Sequence, residues 1–101
     1  MAAELRDALL QSAPELMPDD ISIVPAGVPG EDLWLSPRAR EIYPFTFESK
    51  NVERLNIYQA LEQSQRHAEG TAYQPVLVFR KNRYEPQVVI TLALFLRLFR
   101  Q

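Results

Sequence analysis

The sequence predicts a mixed α/β (α+β) domain, a mixed β-sheet flanked by helices in the order α-β-β-β-α-β-β-α. Short apolar runs bounded by proline and glycine alternate with amphipathic stretches. The longest amphipathic stretch ends at Gly70 and is followed by Val76-Leu77-Val78-Phe79, a continuous apolar run of the kind that fills a strand buried on both faces. The 101 residues suffice for one modest core, so residues 1–101 are expected to form a single domain with no repeat or linker.

Glu4 to Gln11 reads as a short helix with Leu5, Ala8 and Leu9 as its apolar stripe, closed by Pro14. Residues 21–25 (Ile-Ser-Ile-Val-Pro) form a strand between Asp19-Asp20 and the turn Pro25-Ala-Gly-Val-Pro-Gly30. Residues 31–35 are a second strand. Ser36-Pro37 signals a helix start, serine as the cap and proline at the first helical position, with room for about one turn before Tyr43-Pro44. Residues 45–50 are a third strand. A long helix is expected over 52–68, capped by Asn51, with Val52, Leu55, Tyr58, Leu61 and Gln65 on its apolar face and Ile57 and Ala60 widening it. Residues 75–79 are a strand that tolerates Pro75 only at its first position, where no ladder donor is needed. Residues 81–85 turn the chain, 87–90 form the last strand, and Thr91 caps a final helix over 92–100.

Composition removes whole classes of function. The chain has no cysteine, which excludes a disulfide scaffold, a cysteine-ligated zinc site and a thiol nucleophile. Its one histidine, His67, excludes two-histidine metal motifs. No apolar run reaches bilayer length and no secretion signal opens the chain, so the expected location is the cytoplasm, with no membrane partner. A net charge of −2 argues against a histone-like nucleic-acid binder. The charge is uneven, however. Residues 1–50 carry nine acids against four bases, and residues 51–101 carry four acids against seven bases. Arg80, Lys81 and Arg83 cluster after the apolar strand, and Arg97 and Arg100 lie near the end. A basic surface beside an acidic pocket suits a metal-dependent enzyme acting on a polyanion.

The chemistry-bearing residues gather around Glu48-Ser49-Lys50. Alternation along a strand puts Thr46, Glu48 and Lys50 on one face and Phe45, Phe47 and Ser49 on the other. Asp32 precedes Glu48 by sixteen residues, enough for the chain to return beside it, so the two carboxylates are expected to converge from neighbouring strands. Two carboxylates beside a backbone carbonyl, that of Ser49, form an oxygen-rich site for Mg2+ or Mn2+. Such an ion polarises a phosphodiester and lowers the pKa of a bound water. Lys50 is placed to orient that water or to stabilise charge on the phosphorus centre. Glu4 is a candidate for a further carboxylate, Asp19 and Asp20 are its rivals, and Gln63 on the long helix is a candidate contact to phosphate or to the lysine.

These residues resemble the signature of the PD-(D/E)xK nuclease superfamily, an aspartate at a strand start after a glycine-containing turn followed by an E-x-K strand. The match runs through Val24 to Leu33 and then Phe47-Glu48-Ser49-Lys50. Within that superfamily the chain resembles small phage-encoded endonucleases and Holliday junction resolvase-like proteins. That likeness runs through Gly30 to Pro37, Phe45 to Asn51, Glu53 to Ile57 and Ala60 to Gln63, so it touches most of residues 19–90. The resemblance implies a restriction endonuclease-like core, with Asp32 and Glu48 as metal ligands and Lys50 as the catalytic lysine. It also implies Glu4 as an assisting acid and Gln63 as a glutamine beside the site. Ser49 stands where cysteine or a small apolar residue is expected, a departure that should be harmless because its side chain faces away.

The expected function is a Mg2+- or Mn2+-dependent DNA endonuclease hydrolysing phosphodiester bonds, with branched or junction DNA among its candidate substrates. For a phage protein its location is the host cytoplasm. The alternative is a catalytically inactive nuclease-fold protein serving as a nucleic-acid-binding or assembly module. Arg80, Lys81, Arg83, Gln63 and Tyr84 are the candidate DNA contacts. The apolar helix over 92–100 exposes more apolar surface than a small monomer buries, which predicts a homodimer. His67 is expected at the surface, near a helix end whose partial negative charge favours it. Trp34 is expected in the core.

Overall fold

The computed structural model describes residues 1–100. Its elements run α1 (Ala2–Ser12), a 3-10 turn (Pro18–Asp20), β1 (Ile21–Ile23), β2 (Leu33–Leu35), α2 (Pro37–Ile42), β3 (Phe45–Asn51), α3 (Ile57–Ala68), β4 (Gln74–Arg80), β5 (Gln87–Val89) and α4 (Leu92–Arg97). The mixed α+β class expected from the sequence holds, and the elements follow the expected order except that the turn begun at Ser36-Pro37 is a helix, α2, between β2 and β3, and the one expected sheet is two.

The strands form two sheets. β1 and β2 are an antiparallel pair, and β3-β4-β5 is a mixed sheet with β3 parallel and β5 antiparallel to the central β4. Asp32 joins the two sheets. Its N–H donates to Phe47 O at 2.8 Å and its carbonyl accepts from Val24 N at 3.0 Å. Val76, Leu77 and Val78 are buried, so β4 is covered on both faces as its composition predicts. Val76 and Val78 join Phe47, Leu5, Leu16, Ile21, Leu33 and Leu94 in the main core. Leu77, fully buried, looks the other way, toward α3. Pro75 stands second in β4 rather than first. β5 pairs only with Leu77–Phe79, and strand alternation aims the Pro75 nitrogen at the edge that β5 leaves open.

Two predicted caps form as expected. Ser36 Oγ accepts from Ala39 N at 3.1 Å at the start of α2, and Thr91 Oγ1 accepts from Leu94 N at 3.0 Å at the start of α4. The long helix does not begin at Val52. Val52 N instead donates to Arg80 O at 3.2 Å, carrying the β3–β4 ladder onward, and the cap is Asn56, whose Oδ1 accepts from Gln59 N at 3.0 Å. The expected apolar face is also displaced. Tyr58 is 80% exposed, and α3 buries Ala60, Ser64 and Ala68, a stripe of small side chains that lets the helix lie close on the sheet. Trp34 is 51% exposed and not in the core, because it sits opposite Ser22 on the open face of the β1–β2 pair.

Asp20 and Arg40 tie the elements together. Asp20 Oδ1 accepts from Ser36 Oγ at 2.6 Å and its Oδ2 from Met17 N at 2.7 Å. Arg40 pairs with Glu31 at 2.6 Å, donates to Phe45 O, and lies 4.5 Å from the centre of the Tyr73 ring. It thus fixes the chain on either side of the sheet junction. No helix among the described residues is long and apolar enough to cross a membrane.

Ser36→Ala removes the cap of α2 and a partner of Asp20. It should lower stability by about 1 kcal/mol, a fall in Tm of about 4–8 °C for a domain of this size. The Asp20 carboxyl is held below the usual range by the Ser36 hydroxyl and then by the Met17 N–H. A depressed carboxylate contributes stability above its ordinary pKa and loses it as pH falls through the folded value. Asp20→Asn should therefore flatten the decline of Tm below about pH 4; identical slopes in thermal melts would contradict this role.

Candidate functional site

The site is built on β3, whose E-x-K sequence is extended as predicted. Glu48 is 3% exposed and projects toward α3, where His67 Nδ1 meets its Oε1. An ionised carboxylate only accepts, so in that state His67 Nδ1 is the donor of this contact. His67 is therefore no surface residue. Its side chain is 27% exposed and covers the buried carboxylate.

Burial pushes the Glu48 carboxyl above its ordinary value, the His67 hydrogen bond opposes this, and the nearby negative charge of Asp32 adds to the rise. The positive charge of Lys50 pulls weakly in the opposite direction. Asp32 and Lys50 are thus both within electrostatic reach of Glu48. Lys50 follows two residues later on the same strand face.

Asp32 immediately precedes β2 and reaches the free edge of β3. Its Oδ2 accepts from Ser49 N at 2.7 Å and is 3.3 Å from Ser49 Oγ. The Ser49 side chain, expected to face away, helps to hold Asp32. Along a strand, the N–H and C=O of one residue point to the same edge, so the Ser49 carbonyl faces the Asp32 edge as well. Asp32 Oδ1 takes part in none of these bonds.

The other candidates are spread over the molecule. Glu4 is engaged by Arg80 through two bonds of 2.6 Å, which hold its carboxyl below the usual range. Neither residue is brought to the Asp32–Glu48 pair. Asp20 is committed to Ser36 and Met17, and Asp19 is exposed beside it. Lys81, Arg83 and Tyr84 are exposed in the β4–β5 turn, with the Lys81 ammonium 5.3 Å from the centre of the Tyr84 ring. Gln63 lines a pocket of about 380 Å3 together with Lys50, Arg54 and Arg66. Arg54 and Arg66 have no role in the sequence reading, which places His67 only at the surface near a helix end. The signal for His67 was its place next to Ala68, on the helix face made by Ala60, Ser64 and Ala68.

Among the described residues no three histidine, cysteine, aspartate or glutamate side chains gather as metal ligands. The oxygens available are those of Asp32, held against Ser49, of Glu48, within its electrostatic reach, and the Ser49 carbonyl on the Asp32 edge, all hard donors. That set fits an ion such as Mg2+, which is held through one or two carboxylates and keeps several waters. Thr46 Oγ1 and Ser64 Oγ are buried in the layer between β3 and α3 with no hydrogen-bond partner. With Glu48 and His67 they make this layer polar where an apolar one would be more stable. On the opposite side of the sheet, Leu9, Phe45, Phe47, Val88, Leu94 and Leu98 line an apolar groove of about 210 Å3. Leu92, Phe95, Leu96 and Phe99 are exposed beside it. Set against family models, curated proteins and solved structures, the chain matches none.

A raised carboxyl contributes stability below its ordinary pKa and loses it as pH climbs through the folded value, so ionised Glu48 costs stability at neutral pH. Glu48→Gln, whose amide still reaches His67, should raise the Tm of the metal-free protein at pH 7. The gain should disappear below about pH 4, where wild-type Glu48 is protonated in both states. A lower Tm at pH 7 would contradict the assigned cost.

Proposed function

We propose that the protein is a metal-dependent DNA endonuclease of the PD-(D/E)xK type, with Asp32, Glu48 and Lys50 as its working residues. The observation that supports this reading is the bond of Asp32 to the Ser49 N–H within electrostatic reach of Glu48, with Lys50 on the strand face of Glu48. A divalent ion bound there, Mg2+ or Mn2+, would supply Lewis-acid activation of the phosphodiester and of water. Asp32 Oδ1, a Glu48 oxygen and the Ser49 carbonyl would hold it. The Ser49 N–H holds the other Asp32 oxygen. Lys50 supplies a positive charge where negative charge grows on the phosphorus centre, and its ammonium orients the attacking water. His67 keeps the Glu48 carboxylate in one rotamer. Lys81, Arg83 and Tyr84 are the DNA contacts of this reading. Arg80 contributes less, because Glu4 neutralises it.

One observation favours the second reading, a nuclease fold kept as a binding or assembly module. His67 already engages the Glu48 oxygen that a metal would share. Metal binding separates the two. Asp32→Asn keeps an acceptor for the Ser49 N–H, so it should fold, and it should weaken Mn2+ binding by at least about tenfold in calorimetric titration. Unchanged affinity removes Asp32 from the site. Lys50→Ala should keep the wild-type Tm and Mn2+ affinity while losing cleavage by about a hundredfold or more. Supercoiled plasmid, linear duplex and four-way junction, each with Mg2+, Mn2+ or EDTA, serve as substrates. Cleavage equal to wild type would exclude the lysine role, and wild-type protein that binds Mn2+ but cuts nothing would favour the second reading.

The same proposal includes a homodimer formed through α4, whose exposed Leu92, Phe95, Leu96 and Phe99 adjoin the apolar groove. Phe99→Glu should convert a dimer to a monomer in light scattering across a concentration series. A monomeric wild type at every concentration would rule the dimer out.

A further inference from the structure

We propose that the basic pocket between the end of β3 and the first turns of α3 binds a phosphate group of a nucleic-acid strand. Three cationic side chains, Lys50, Arg54 and Arg66, line its volume of about 380 Å3, together with Asn56, Gln59 and Gln63; the remaining lining is apolar and includes no carboxylate. Of the seven other arginines, three have acidic partners: Arg6 has Asp7, Arg40 has Glu31 and Arg80 has Glu4. No described carboxylate lies within salt-bridge distance of Lys50, Arg54 or Arg66. Like charges gathered in a concavity with partly apolar walls repel one another and focus a positive potential, and a bound anion relieves that repulsion. The hydrogen-bonding supply agrees. Asn56 Oδ1 is spent on capping α3, which leaves its Nδ2 amide, two glutamine amides and the cationic groups as donors in the lining.

The position identifies the anion. Lys50 lines the pocket and shares its strand face with Glu48, so a phosphate held here is next to whatever lies at Asp32 and Glu48. The volume, near the lower end of about 300–1,000 Å3 for small-molecule sites, exceeds the needs of a bare phosphate and admits its attached sugar. The identity of the polyanion rests on the nuclease reading, but the anion site does not. The shared chemistry is a phosphate oxyanion, supplied by an internal diester or by a strand end.

The test is binding without metal. Short fluorescent single strands of one sequence, with a 5′-phosphate or a 5′-hydroxyl, are titrated in EDTA with the full chain across a salt series, followed by anisotropy. Arg54→Gln and Arg66→Gln should each weaken binding about tenfold at low salt and reduce the slope of log K against log salt by about one. Arg97→Gln, on α4 at the opposite face of the sheet, should change neither. Equal affinity for both strands, lost in the variants, supports an internal diester; a preference for the 5′-phosphate that the variants abolish supports a strand end. Wild-type affinity in both arginine variants overturns the proposal, as does binding of inorganic phosphate with no binding of either strand. No cleavage enters this experiment, so an inactive protein that passes it would defeat the nuclease reading and leave the pocket standing.

Discussion

Asp32 is bonded through both its backbone and its side chain. Its N–H goes to Phe47, its carbonyl to Val24, and its carboxylate to the N–H of Ser49. A two-stranded hairpin is marginally stable alone, so the β1–β2 pair depends on this junction and on the packing of α1 against it. Glu31, one residue earlier, is anchored by Arg40, which also reaches Phe45 and Tyr73. The junction is therefore held from both sheets and from α2. The same bonds leave one carboxylate oxygen unused at the edge of β3. In this fold, the residue that closes the architecture is also the one best presented for chemistry.

The layer between β3 and α3 follows a different logic. Ala60, Ser64 and Ala68 let the helix lie close to the sheet, and into the space come Thr46, Glu48 and His67. Apolar side chains would fill this layer at lower free energy, because two hydroxyls find no partner and a carboxylate is charged against its desolvation. Such a cost persists in proteins where function requires the polar groups. The main core, on the Phe47–Val76–Val78 face, has no comparable defect and supplies the stability that this layer gives up.

What was legible in the sequence was what neighbouring residues decide. Ser36 and Thr91 cap their helices because each has a free amide three residues on. The apolar run of β4 is buried on both faces because nothing in it tolerates water. The sixteen-residue return from Asp32 to Glu48 was readable from spacing alone. The start of α3 was not, since Asn51 and Asn56 are both adequate caps and Val52 and Leu55 fit the helical period. The decision falls to the Arg80 carbonyl, which takes the N–H of Val52 into the β-ladder. That partner is 28 residues away in sequence and leaves no local trace. The same holds for Glu4, drawn to Arg80, and for His67, whose partner is a buried acid on another element.

The sequence is acidic in its first half and basic in its second, and folding redistributes that division. Arg80 crosses to Glu4, Arg40 to Glu31, and the third strand carries Glu48 at its centre and Lys50 near its tip. Asp32 and Glu48 repel each other across Ser49, while Lys50, Arg54 and Arg66 repel one another a few residues further along. Two adjoining regions of like charge, opposite in sign and only partly offset by His67 and Lys50, are unfavourable in an empty protein. A strand of phosphates with divalent cations carries the complement of both, anions for the pocket and a cation for the carboxylates. In the proposed function each partner would also lower the cost of binding the other, because a cation between the acids would remove the repulsion they exert on an approaching phosphate.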